Sequence, residues 1–136
     1  LYERTVDGWA RHLAAPAAGP GAASAASRLL AFEGEHYGEH GLYRIIFTGL
    51  DEIDDPDIRK ALRSMYRRFH AFLTERIAEH RGEEPAGART ELLAWAVIGM
   101  ATVAGIGREL RLVTRQQQRE LFGEVGRALL DLPETT

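Results

Sequence analysis

The sequence contains no cysteine, which excludes a disulfide framework and a thiolate metal site. It has no excess of positive charge: 17 basic and 20 acidic residues leave a net charge of -3, and Lys60 is the sole lysine. A chain of that charge is not expected to hold nucleic acid unaided, because phosphate affinity comes from clustered Lys and Arg. No glycine-rich nucleotide fingerprint, phosphate-binding loop, nucleophile elbow or H-E-x-x-H zinc motif occurs, so an enzyme is not expected. No run alternates with period two for long enough to make a strand. The opening residues, Leu1-Tyr2-Glu3-Arg4, lack the apolar core of a signal peptide, and a cytoplasmic protein is the expectation.

The chain has 136 residues, 45% apolar and 27% charged, the proportions of one soluble domain with a buried core. Its apolar periodicity is helical throughout. Leu1, Val6, Trp9 and Leu13 share one face of a first helix, and a helix that begins uncapped at the first residue suggests a segment removed upstream. Residues 14–23 (AAPAAGPGAA) read as a loop. A second helix starts near Ser24 or Ser27 and ends near Tyr37, where Gly38 and Gly41 weaken it. A short helix over 42–47 is closed by Gly49. Asp54-Asp55-Pro56-Asp57 then combines an Asp cap, a first-turn proline and negative charge at the positive helix end. The helix it opens runs to about Arg81, with Ile58, Leu62, Met65, Phe69, Phe72, Leu73 and Ile77 on one stripe.

After a loop (Arg81 to Gly87), sixteen residues from Leu92 to Gly107 carry no charge. An all-round apolar span of that length is expected to be a buried central helix, running from Ala88 or Thr90 to Leu110, because it is shorter than a bilayer requires. Thr114-x-x-Gln117 is a capping box that opens the last helix, whose apolar stripe is Leu121, Phe122, Val125, Leu129 and Leu132 before Pro133 stops it. The expected fold is all-α: one domain over residues 1–136, a bundle of about six helices.

Few residues suggest chemistry. His36 and His40 have the i, i+4 spacing of a metal pair, with Glu33 and Glu39 nearby, but the glycines beside them oppose a continuous helix and the ligand set is incomplete. No metal or cofactor is expected. Trp9, Phe32, Tyr37, Tyr43, Phe47, Phe69, Phe72 and Trp95 are singly ordinary core aromatics. Together, with Met65 and Met100, they also describe the apolar wall of a small-molecule cavity. His70, beside Phe69, suits the core or the surface. Lys60, Arg63, Arg67 and Arg68 read as a solvated face, and the acidic loop from Asp51 to Asp57 as helix capping.

The order of parts resembles the C-terminal domain of TetR-family transcriptional regulators. The resemblance is carried by Glu39-His40-Gly41-Leu42-Tyr43-Arg44-Ile45-Ile46-Phe47, by Asp55-Pro56-Asp57-Ile58-Arg59-Lys60-Ala61-Leu62, and by the two closing stretches Leu92 to Met100 and Thr114 to Leu121. The opening Leu1-Tyr2-Glu3-Arg4-Thr5-Val6 is similar to the helix leaving that family's DNA-binding domain. The resemblance implies an effector-binding, homodimerising half of a repressor. DNA would be reached only through an N-terminal helix-turn-helix that this chain lacks. It implies a pocket for a small apolar or aromatic effector drawn from Trp9, Phe32, His36, Tyr43, Phe47, Met65, Phe69, Phe72 and Trp95. It also implies a two-fold four-helix bundle made by the last two helices of each subunit, with Gly99, Ala101, Ala104, Gly105, Leu121, Phe122, Val125 and Leu129 as interface residues. Effector binding would act by shifting a population between two spacings of the DNA-binding heads. Two other expectations stand beside this one: a dimerisation module whose cavity is filled by its own side chains, and a small helical metal protein using His36 and His40.

Overall fold

The computed structural model describes the backbone of residues 42–132 and the side chains of residues 46–132. The two expected N-terminal helices, the loop at 14–23 and Trp9, Phe32, His36 and His40 lie outside the described residues, as does Pro133. Tyr43 is described in its backbone alone. Every regular element among the described residues is helical.

Helix α1 is Leu42–Asp51. It continues through Gly49, which was expected to close it. A Cβ on Gly49 would lie 3.1 Å from Leu62 Cδ1, so this glycine serves close approach to the next helix rather than termination. Helix α2 is Pro56–Arg81. Asp55 caps it, accepting from the backbone N–H of Asp57 at 2.8 Å and of Ile58 at 3.2 Å. Arg59 folds back over the preceding turn and donates to the carbonyls of Ile53 and Asp54. The helix ends at Gly82, whose φ of 66° is left-handed. The expected stripe is largely the one that packs: Leu62, Met65, Phe69, Leu73 and Ile77 are buried, while Ile58 and Phe72 are half-buried.

Helix α3 is Ala88–Glu109. Its expected all-round burial is corrected by the structure. Thr90, Leu93, Ala94, Val97, Ala104, Gly105 and Gly107 are buried, whereas Leu92 is 69% exposed, Val103 65% and Trp95 48%. Only one side of this helix meets the rest of the described chain. The turn after it is tight. Arg111 has a φ of 56°; its N–H bonds the carbonyl of Arg108 and that of Leu112 bonds the carbonyl of Gly107, the paired closure of a Schellman motif.

Thr114 then opens the last rod through the expected capping box: Gln117 N–H to Thr114 Oγ1 at 3.1 Å, and Thr114 N–H to Gln117 Oε1 at 2.9 Å. Three segments form the rod: α4 (Arg115–Glu120), a π-helical turn (Leu121–Val125) and α5 (Gly126–Leu130). The junction residues all keep right-handed helical angles, so the axis runs on. Its buried residues are Gln118, Phe122, Gly126 and Leu130, four apart throughout. On a regular α-helix that spacing drifts about 40° per step. The π turn absorbs about one extra residue and keeps the four in line. The expected stripe was therefore only partly right: Phe122 is buried, Leu121 and Leu129 are half-buried, and Val125 and Leu132 are exposed.

Two apolar clusters result. Leu62, Met65 and Phe69 pack with Ile46, Ile53, Ile58 and Tyr66 where α1 meets α2. Leu73, Ile77, Leu93, Ala94, Val97, Ala104, Phe122 and Leu130 join α2, α3 and the last rod, and Ile98 touches both clusters.

Candidate functional site: an exposed apolar face

Five of the nine pocket candidates have described side chains, and among the described residues these five do not line one site. Met65 and Phe69 are buried together in the α1–α2 cluster and Phe72 flanks the larger one, while Phe47 and Trp95 are exposed. Trp95 has a neighbour that the sequence reading missed. The His70 ring stacks on its indole with centroids 4.6 Å apart, and His70 Nε2 lies 3.0 Å from the Glu91 carbonyl oxygen. Glu91 and Trp95 are one helical turn apart on α3, and that spacing was the available signal.

The dimer candidates divide more sharply. Ala104, Gly105 and Phe122 are buried inside the chain, Ala104 and Phe122 in the same cluster. Ala104 packs with Phe122 and Leu130 of the chain's own last rod, so its side chain faces inward. Ala101, Leu121 and Leu129 are half-buried, and Gly99 and Val125 are exposed. A Cβ on Gly99 would meet nothing within 4 Å.

The exposed side of α3 has a different membership. Leu92, Ala96, Gly99, Val103, Ile106 and Leu110 are all exposed, at alternating spacings of four and three. That is a heptad seam, the pattern by which helices pack knobs into holes. Ala96 and Gly99 lower its middle, and Trp95 stands at its edge. The seam carries no charge, so covering it desolvates no ion. By length and composition α3 is also the one helix among the described residues apolar enough to cross a bilayer.

Behind the seam, a polar clamp fixes the helix ends. The Arg81 guanidinium donates to the carbonyls of Leu130 (2.8 Å) and Leu132 (2.6 Å), and pairs with Glu83 at 2.7 Å. Thr90 Oγ1 donates to the other Glu83 oxygen at 3.2 Å. His80 Nε2 reaches Asp131 at 2.8 Å. The hydrogen bond from Arg81 holds the Glu83 carboxyl below its ordinary value, aided by the charge of Arg81 and by Thr90 and Arg89, against a smaller effect of desolvation.

Among the described residues no three His, Asp or Glu side chains gather in a way that could hold a metal ion. Comparison with family models, with curated proteins and with solved structures gives no match to this chain.

Proposed function

We propose that this chain is the homodimerising, small-molecule-sensing domain of a cytoplasmic TetR-like transcriptional repressor, which reaches DNA through a separate helix-turn-helix. The exposed seam of α3 carries this reading. An uncharged heptad face with a recessed centre suits a two-fold partner helix, and the resemblance in the order of helices points to the same two closing elements. In this reading the seam residues Leu92, Val103, Ile106 and Leu110 make the contact.

A second reading, a dimerisation module without an effector, is favoured by one observation: Met65 and Phe69 are packed against neighbouring side chains rather than spaced around an opening. Native mass spectrometry separates the two. A sensor is expected as a dimer of twice 15.1 kDa that carries, or takes up, a small molecule and melts higher with it. The module gives a bare dimer that no small apolar compound stabilises. A monomer overturns both.

A further inference from the structure

The α3 seam is regular in spacing and uneven in size. Leu92, Ala96, Gly99, Val103, Ile106 and Leu110 fall within about 80° of the helix circumference and extend about 27 Å along it. Their spacing of four, three, four, three and four reads the same from either end. The six residues therefore form three pairs, each centred on Ala101: Leu92 with Leu110, Ala96 with Ile106, and Gly99 with Val103. In both inner pairs the N-terminal member is small and the C-terminal member is branched and bulky. At Gly99 the surface is open, with nothing within 4 Å of a Cβ placed there, whereas Val103 stands out into solvent.

A stripe of this kind is complementary to itself reversed. We infer that the α3 seam pairs with the same seam of a second copy, antiparallel, about a two-fold axis level with Ala101. That operation brings residues equidistant from Ala101 to one level. Val103 of each copy enters the recess at Gly99 of the other, Ile106 covers Ala96, and Leu92 meets Leu110. Each contact is made twice, as in any isologous interface. The two alternating seam positions share every level, so each inner knob has a hole opposite it. The helices are closest at the centre, where glycine meets valine, and farther apart at the ends, where leucine meets leucine, as crossing helices require.

A parallel pair sets each residue against its own counterpart. The small half then faces the small half and the bulky half faces the bulky half, so contact in one half leaves the other poorly filled. The seam carries no charge that could impose that direction. A foreign helix would need these sizes in reverse order, and a second copy of this chain supplies them. The inference rests on the seam being the contact between copies, to which it adds direction and register. It does not depend on effector sensing.

The chain has no cysteine, so one introduced thiol reports one position. The test uses two full-length variants, A96C and I106C, treated with oxidised glutathione singly and as an equimolar mixture after subunit exchange. Circular dichroism confirms that each is folded. In the antiparallel register each introduced thiol is about 15 Å from its own counterpart along the helix, beyond the roughly 7 Å that a disulfide spans between Cα atoms. The two different thiols share a level. The expected result is no covalent dimer from either variant alone and a covalent dimer of twice 15.1 kDa from the mixture, on non-reducing gels. Cross-linking of either variant with itself overturns the register while leaving the seam as the interface. A chain that sediments as a dimer but cross-links in no combination places the contact elsewhere and overturns this inference, with the proposed dimer itself intact. A monomer overturns both.

Discussion

At the residue scale, two positions in the turn after α3 have opposite expected effects. A Cβ on Gly107 would lie 2.5 Å from Val113 Cγ2, inside any tolerable contact, and Gly107 is buried. Gly107→Ala is expected to destabilise the fold by about 1–3 kcal/mol, the usual cost of overpacking a tight site, read as a lower urea midpoint. Arg111 is the reverse case. It holds a left-handed φ of 56° that costs a side-chain-bearing residue roughly 1–2 kcal/mol. Arg111→Gly is expected to raise stability by up to about 1 kcal/mol after the entropy of glycine is set against that strain. A Tm that falls in this variant would show that the Arg111 side chain contributes more than its backbone strain costs.

At the scale of elements, the clamp at the end of α2 decides how the last rod is held. Arg81 is nearly buried and satisfies carbonyls that a helix C-terminus otherwise leaves without donors. Arg81→Met removes a partly buried ion pair and two charge-assisted bonds, and the urea midpoint of unfolding should fall. Glu83 adds a pH dependence of definite sign. Its folded pKa is depressed from 4.5, so its contribution is complete above that value and fades as pH falls through the folded pKa. Glu83→Gln should therefore lower stability at neutral pH and flatten the loss on acidification, measured as unfolding midpoints across the acid range.

The elements also show where sequence reading succeeded and stopped. The caps of α2 and the last rod were legible, because Asp55 and the Thr114–Gln117 pair act on backbone groups within three residues of themselves. The stripe of α2 was legible because its period is regular. The buried face of the last rod was not. A π turn changes the residue count per turn, and nothing in Leu121-Phe122-Gly123-Glu124-Val125 announces one in a pattern read at 3.6. Gly49 was misread for a related reason: a glycine that stops a helix and one that admits a neighbour look alike until the neighbour, Leu62, is placed.

At the scale of the molecule, the helical period of the apolar residues pointed to the all-helical class, but the state of α3 depended on what surrounds it. An uncharged run of sixteen residues is compatible with burial on every side or with burial on one side and a seam on the other. In the described chain the second holds, so Ala104 and Gly105 face inward and Leu92 and Val103 outward. Val103→Glu puts a charge in the middle of the seam without touching the core. It should leave the thermal melt of the isolated fold within about 1 kcal/mol of the original, as surface changes do, while weakening self-association by a hundredfold or more at about 3 kcal/mol of lost contact. Sedimentation equilibrium measures the second effect and circular dichroism the first. A dimer that survives Val103→Glu unchanged rules the seam out as its interface.

The stack of His70 on Trp95 makes that face visible without a label. Its indole is half in water and lies against an imidazole, so its emission wavelength follows solvent contact. Covering the seam dries the ring and shifts the emission to shorter wavelength. Trp9 is the only other tryptophan in the sequence, so Trp9→Phe leaves a single fluorophore at the edge of the seam. The protein thus carries its own optical gauge of association.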